Sequence, residues 1–288
     1  MEKFSPQYKL ADFVLDKKIG NGSFGIVWKA RDIVNNTDVA IKQIDIASDK
    51  ENTVLEQTLR EIEILNLISN NECKNTMPQY YGYFIDDGFL YIIMELIVGI
   101  DLFDYMFKKF NKKDKNSVII MLNILLNIAT HLRCLHSLDI IHRDLKLENI
   151  MITNNNEPKI IDFGLSCTIA GSTMCPFTEN HMAGSLLYVS PEELSGIILD
   201  TIDAYKKADI YSLGCVFYSA LSGRMYIEDD QDQYQIIHNI KKGKHSNFKY
   251  VYPDSMKSII YNMTLVDAKK RPTLDEVIAH INKVLADF

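Results

Sequence analysis

The chain changes character near Gly99, and that change limits the folds open to it. From Phe13 to Ile46, short apolar runs are broken by Gly20, Gly22, Gly25 and Asn35-Asn36, the punctuation of strands and tight turns. Tyr80 to Phe84 and Phe89 to Leu96 repeat the pattern around a turn at Asp86-Asp87-Gly88. Between these runs, Thr53 to Ile68 carries Leu55, Leu59, Ile62 and Leu65 or Ile64 at helical spacing. Beyond Gly99, long helical periodicities take over at 117–136, 209–221 and 273–287. The last opens on the capping box Thr273-x-x-Glu276 and continues through Leu274, Val277, Ile278, Ile281 and Leu285. Strands gathered first and helices after them predict an α+β architecture or two separate lobes.

Composition removes several function classes. The 288 residues are 47% hydrophobic and 24% charged, which suits one large or two modest globular domains. A formal net charge of −7 argues against nucleic acid or an anionic membrane as the main partner. The cysteines, Cys73, Cys134, Cys167, Cys175 and Cys215, include no CxxC pair. Neither a zinc knuckle nor a disulfide framework is signalled, and an odd, scattered set suits a reducing compartment. The start, Met1 to Pro6, lacks the apolar core of a secretory signal, and position 2 is not the glycine of a myristoylation site. Val118 to Leu135 is the most apolar stretch, but Asn123, Asn127, His131 and Arg133 interrupt it, so it reads as a buried helix rather than a membrane span. The expectation is an intracellular, cytoplasmic protein.

The chemistry gathers around Ile141-His142-Arg143-Asp144-Leu145-Lys146-Leu147-Glu148-Asn149, with Asp162-Phe163-Gly164 a short distance on. Asp144 is a candidate base, Lys146 a phosphate partner, and Asn149 and Asp162 are candidate metal ligands. Phosphoryl transfer from ATP needs that set, because its transition state spreads charge over phosphoryl oxygens that the protein must position and neutralise. Upstream, Ile19-Gly20-Asn21-Gly22-Ser23-Phe24-Gly25-Ile26-Val27 is GxGxxGxV. Its glycines let backbone N–H groups approach phosphates without a Cβ in the way. The run leads into a strand ending Val39-Ala40-Ile41-Lys42, whereas a dinucleotide-binding fingerprint would open a helix. Taken singly, Lys42 reads as a solvated strand lysine, Glu61 as a surface helix carboxylate, and Met94 as core. The ordered string as a whole has no such bland reading.

These motifs match the protein kinase signature set, and the chain resembles the eukaryotic protein kinase family, serine/threonine type, from about Phe13 to Leu285. Lys146-Leu147-Glu148-Asn149 and Gly184-Ser185 through Ser190-Pro191-Glu192 look most like the calcium/calmodulin-dependent-kinase-like group. The resemblance implies a bilobal fold: an antiparallel-sheet N-lobe with one main helix over 1–94, a hinge over 95–99 and a mainly helical C-lobe over 100–288. It implies transfer of the ATP γ-phosphoryl group, with Mg²⁺, to Ser/Thr hydroxyls of protein substrates. Asp144 would be the base, Lys146 would neutralise the transferred phosphate, and Asn149 and Asp162 would ligate Mg²⁺. Lys42 would hold the α- and β-phosphates, oriented by Glu61, with Glu56 and Glu63 as alternatives. The nucleotide site would include Ile19, Gly20, Asn21, Gly22, Ser23, Phe24, Gly25, Val27, Ala40 and Met151. Backbone groups of Glu95 and Ile97 would meet the adenine edge, behind a gatekeeper Met94, and Asp101 would reach the ribose.

The same resemblance implies that Glu192 pairs with Arg271 and that Asp209 hydrogen-bonds the catalytic loop. Ser190 stands in place of the usual Ala, and Tyr211 in place of the usual Trp. Arg143 would meet an anion from the activation segment, but the usual acceptor position holds His181. Phosphorylation of Thr178, Thr173 or Ser172 by an upstream kinase or activator, and pairing with Glu179 without phosphorylation, both stay open. Glu148, with Ser219 where a second acid often helps, implies a mild preference for basic peptides. A scaffold lacking turnover would normally have lost Lys42, Asp144 or Asp162, and none is lost.

Overall fold

The computed structural model describes residues 8–22, 25–49, 51–168, 185–195, 201–227 and 232–288. Packing divides the chain into two units, Met1–Val98 and Gly99–Phe288. The first is built on β1 (Phe13–Gly22), β2 (Gly25–Asp32), β3 (Thr37–Asp45), β4 (Tyr80–Asp86) and β5 (Phe89–Glu95). They form one sheet in the order β1-β2-β3-β5-β4, and every neighbouring pair is antiparallel. The sequence explains that order. β3 and β5 carry continuous buried runs, Val39–Lys42 and Leu90–Ile93, as central strands covered on both faces should. β1 and β4 alternate or expose their side chains, as edges do.

One face of this sheet carries a ladder of aromatic rings. Phe13 stacks on Phe84 at 5.9 Å and Phe84 on Tyr91 at 4.6 Å, with Tyr8 and Leu10 packed against the cluster. Helix α1 (Thr53–Ser69) buries Thr58, Glu61, Ile62, Ile64, Leu65 and Ile68. Its first turn is capped from outside: Asp49 accepts hydrogen bonds from the amides of Thr53, Val54 and Leu55. The expected apolar stripe through Leu55 and Leu59 is corrected here. Leu55 is half-buried and Leu59 exposed, because the helix turns inward the face that carries Glu61.

In the second unit, β6 (Gly99–Asp101), β7 (Ile150–Thr153) and β8 (Pro158–Ile160) make a small antiparallel sheet. The unit's helices are α2 (Leu102–Lys108), α3 (Lys115–Ser137), α4 (Pro191–Leu194), α5 (Ile202–Ser222), α6 (Gln233–Lys241), α7 (Lys257–Met263) and α8 (Leu274–Ala286), of which α2 and α3 pack on the sheet. α5 is buried on all sides from Ala208 to Ser222, the pattern of a central core helix. It begins at Ile202, well before the expected 209, because Thr201 caps it and Asp203 occupies its first turn. α3 packs on α8, α5 and β8. By length and composition α3 could cross a membrane, yet Val118, Met121, Leu122, Leu125, Ile128 and Leu132 on it are buried within the protein. α8 shows the predicted capping box between Thr273 and Glu276.

The cysteine reading also needs correction. Cys73, Cys134 and Cys167 are disulfide-bonded, and Cys215 is free and buried. Pairing follows proximity in the fold, which local CxxC spacing does not report. The cysteines therefore give no support to a reducing compartment.

Candidate active site

In the first unit, the glycine run forms the end of the β1–β2 hairpin, where Gly22 pairs with Gly25 and Gly20 with Val27. Gly25 has φ +132°, and a Cβ there would lie 2.2 Å from the Gln43 carbonyl oxygen, so only glycine fits. Ser23 and Phe24 lie outside the described residues. Register then places Val27 beside Lys42 and Ala40 beside Met94. Ala40 is buried and Ile19 exposed.

Lys42 Nζ donates to both oxygens of Glu61, at 2.7 and 2.8 Å, and both residues are buried. Of the carboxylates that α1 offers, Glu61 reaches Lys42, and Glu56 is exposed in the first turn. Burial makes this contact stronger than a surface pair, since little water screens it. At the end of β5, the Glu95 amide donates to the Gln79 carbonyl at 2.8 Å. That bond takes the Glu95 N–H out of any set of groups meeting a ligand.

The second unit carries the catalytic-loop motif. Asp144 is buried, and three side chains converge on it. Lys146 Nζ donates to Asp144 Oδ2 at 2.7 Å, and Asn149 Nδ2 to the same oxygen at 2.8 Å. Ser185 donates its amide to Asp144 Oδ1 at 3.0 Å, and Lys146 Nζ also reaches Ser185 Oγ at 3.0 Å. Asn149 spends its second N–H on the Asp144 carbonyl at 2.8 Å. Both amide hydrogens of Asn149 are thus used, which leaves its amide oxygen as the group to turn elsewhere.

The loop is held from below by Asp209 on α5. Its Oδ2 accepts from the His142 amide and from His136 Nε2, each at 2.9 Å, and its Oδ1 from the Arg143 amide at 2.9 Å. Arg143 has φ +66°, a left-handed conformation that a non-glycine residue keeps only when its surroundings hold it. Burial opposes the charge on Asp209. The His136 bond and charge, the field of His142 and the His142 amide outweigh it and hold the carboxyl below its ordinary range. Sequence reasoning missed His136, a lone histidine at the end of a core helix, and no sequence signal marked it.

His142 and Phe163 are buried with rings 5.3 Å apart, a packing role. Asp162 also has φ in the left-handed region, +63°, and its Oδ1 accepts from the Gly164 amide. Ile161 N donates to the Asn149 carbonyl, so Asn149 and Asp162 sit at the same end of the β7–β8 pair. Met151 lies opposite Asp101 in β6. Asp101 itself caps α2, with Oδ1 accepting from the Asp104 amide at 2.7 Å.

Farther along, Arg271 grips Glu192 through two bonds of 2.7 Å, both residues buried. Ser219 is core, bonded to the Cys215 carbonyl. Glu193 was not singled out from sequence. Burial pushes its carboxyl up, against the Ser190 hydrogen bond and the field of Arg143. Ser172, Thr173, Thr178, Glu179, His181 and Gly184 lie outside the described residues.

A model of the protein kinase domain matches residues 13–281. The chain belongs to the protein kinase family. This kinase domain is 33% identical over 214 residues to a probable serine/threonine-protein kinase 2 of Plasmodium falciparum, covering 73% of the chain and 38% of that protein. It is 30% identical over 278 residues to a probable serine/threonine-protein kinase of Dictyostelium discoideum, covering 95% of the chain and 31% of the relative. It is 26% identical over 276 residues to the serine/threonine-protein kinase PLK4 of Danio rerio, covering 94% and 27%. The chain thus spans about a third of the length of these relatives. The narrower likeness to the calcium/calmodulin-dependent group is not echoed in these three names.

Proposed function

We propose that this kinase domain transfers the γ-phosphoryl group of ATP to serine or threonine hydroxyls of protein substrates. One observation carries the reading: Lys146, Asn149 and Ser185 converge on the buried carboxylate of Asp144. A carboxylate so oriented can accept the proton of a substrate hydroxyl while the oxygen attacks phosphorus in line. The new bond joins the hydroxyl oxygen to phosphorus. The bond between phosphorus and the β–γ bridging oxygen breaks, ADP leaves, and the proton goes to Asp144. Lys146 stands 2.7 Å from that carboxylate, close enough to neutralise the phosphoryl oxygens during transfer. Lys42, fixed by Glu61, would hold the α- and β-phosphates, and the β1–β2 glycines would admit them to the backbone. Ile19, Val27, Ala40 and Met151 would face the adenine ring, the Glu95 carbonyl and Ile97 amide its edge, and Asp101 the ribose.

Asn149 and Asp162 fit Mg²⁺. They offer an amide oxygen and a carboxylate, hard ligands at one end of the β7–β8 pair. A Mg²⁺ held by these two residues would complete its shell with phosphate and water. When bound, Mg²⁺ would neutralise the polyphosphate charge. The test is transfer from labelled ATP and Mg²⁺ to casein, to a serine peptide and to the chain itself, with Asp144→Asn alongside. Transfer lost in the variant, with phosphoserine or phosphothreonine in the product, is the expected result. Undiminished transfer by the variant, or phosphotyrosine alone, would overturn the assignment.

A further inference from the structure

Beside the catalytic loop lies a cavity of about 410 Å³ that the chemistry above does not use. Its apolar wall is Phe103, Met106, Phe107, Leu186, Leu187 and Met225. Phe103 and Phe107 sit one turn apart on α2 with rings 4.9 Å apart, and they are 37% and 62% exposed. Two large aromatic side chains held open to solvent on a seven-residue helix cost burial that a purely structural helix would recover.

The rest of the lining says what belongs there. Ser185 faces the cavity and also bonds Asp144 and Lys146, so the cavity begins where the phosphoacceptor must arrive. Glu148, two residues beyond Lys146, lines it as well. An extended peptide advances about 3.3 Å per residue, so a side chain only a few positions from the acceptor can reach the pocket. The rim charges do not favour one sign. Glu148 is answered by Arg224, whose guanidinium lies 3.8 Å above the Tyr250 ring and is steadied there. The preference for basic peptides expected from Glu148 is offset by this arginine, and the discrimination falls to the apolar wall.

We propose that the cavity is a specificity pocket for one large apolar side chain, such as Leu, Met or Phe, at a fixed position near the phosphoacceptor. This rests on the kinase reading above and names the substrate class for it. A hydrophobic pocket discriminates by roughly 10-fold or more per missing methylene or two, so Ala for Leu at that position lowers kcat/KM by at least about 10-fold.

A positional-scanning serine peptide library with ATP and Mg²⁺ tests it, run on the wild-type chain, Phe107→Glu and Phe107→Ala, with transfer to casein in parallel. The wild type should select Leu, Met or Phe at one position. Phe107→Ala should weaken that selection, and Phe107→Glu should replace it with selection for Lys or Arg at the same position, a gain that misfolding cannot produce. Transfer to casein with no apolar selection, or an unchanged profile in both variants, overturns the pocket and leaves the kinase standing. No transfer to any acceptor overturns the kinase reading and the pocket with it. A wild type that sediments as a dimer, with Phe107→Glu a monomer, assigns the wall to a second copy of the chain and overturns the pocket.

Discussion

Replacing Glu192 by Gln should unfold this kinase domain far more readily than breaking an ion pair of the same length elsewhere. Arg271 and Glu192 meet at 2.7 Å, and so do Arg133 and Asp275. Distance therefore does not rank them; surroundings do. The Arg133 and Asp275 side chains are 48% and 76% exposed, whereas those of Arg271 and Glu192 are 0% and 8%. Every N–H of the Arg271 guanidinium is used: Nε on Leu265 O, Nη1 on Glu192 and Lys207 O, Nη2 on Glu192 and Val266 O. Removing the carboxylate charge leaves a buried cation facing a neutral amide, which costs about 3–5 kcal/mol in comparable sites. Three carbonyls and the Tyr211 ring still face Arg271, so the lower end, about 3 kcal/mol, applies. For a unit of this size that is a fall in Tm of about 6–12 °C. Asp275→Asn should cost under about 1 kcal/mol. Thermal unfolding followed by circular dichroism measures both. Equal losses from the two substitutions would refute the argument that burial, rather than contact geometry, sets the value of the pair.

Three further outcomes follow from the same geometry. Lys42→Met should lower kcat by about 10²–10³-fold, the cost of losing one preorganised donor. Adding Glu61→Gln should restore the Tm lost by Lys42→Met but not the turnover, and recovery of both would show that the lysine acts only structurally. Asp209 has its carboxyl held below 3.8 in the folded chain, so its stabilisation is complete above about that pH and is lost as pH falls through the folded value. The stability gap between wild type and Asp209→Asn, read from urea midpoints, should therefore narrow on acidification below that point, and a gap that widens there would contradict the sign. Gly25→Ala should destabilise the first unit by about 1–3 kcal/mol because its φ is +132°. Gly20→Ala would meet Val27 only at ordinary contact, 3.4 Å, and should leave the urea midpoint nearly unchanged.

What the sequence disclosed depended on how local each feature is. Glycine punctuation and short apolar runs marked Phe13 to Ile46 as strands and turns, and two strands at 80–84 and 89–96, because those signals lie within a few residues of one another; that the first stretch holds three strands of a five-stranded sheet came from the structure. The order β1-β2-β3-β5-β4 needed the burial of each strand as well. Helix α1 was found, but its face was misread, because Leu55 and Leu59 have the right spacing while the buried Glu61 breaks the polarity rule for the pairing with Lys42. The short helices α2, α4, α6 and α7 gave too few turns for a period to emerge. His136 as the partner of Asp209 depends on a contact between residues far apart in sequence, and the disulfide-bonded cysteines carry no local spacing that marks them. The cavity beside Ser185 joins four segments far apart in sequence, and only the fold assembles them.

Two buried aspartates, Asp144 and Asp209, carry similar numbers of hydrogen bonds, and the kind of donor separates their roles. Asp209 receives two backbone amides and a buried histidine, donors that cannot leave without unfolding the loop they belong to. Asp144 receives the side-chain ends of Lys146 and Asn149 together with the Ser185 amide, and the Lys146 side chain is 22% exposed. On the kinase reading proposed above, the Lys146 ammonium swings from the carboxylate to an arriving phosphoryl group without disturbing the backbone. A base must exchange partners during a reaction, and a brace must not. On that reading Asp209 holds bonds that keep the loop in place, Asp144 keeps an exchangeable one in Lys146, and Arg143, between them, holds a left-handed φ of +66°.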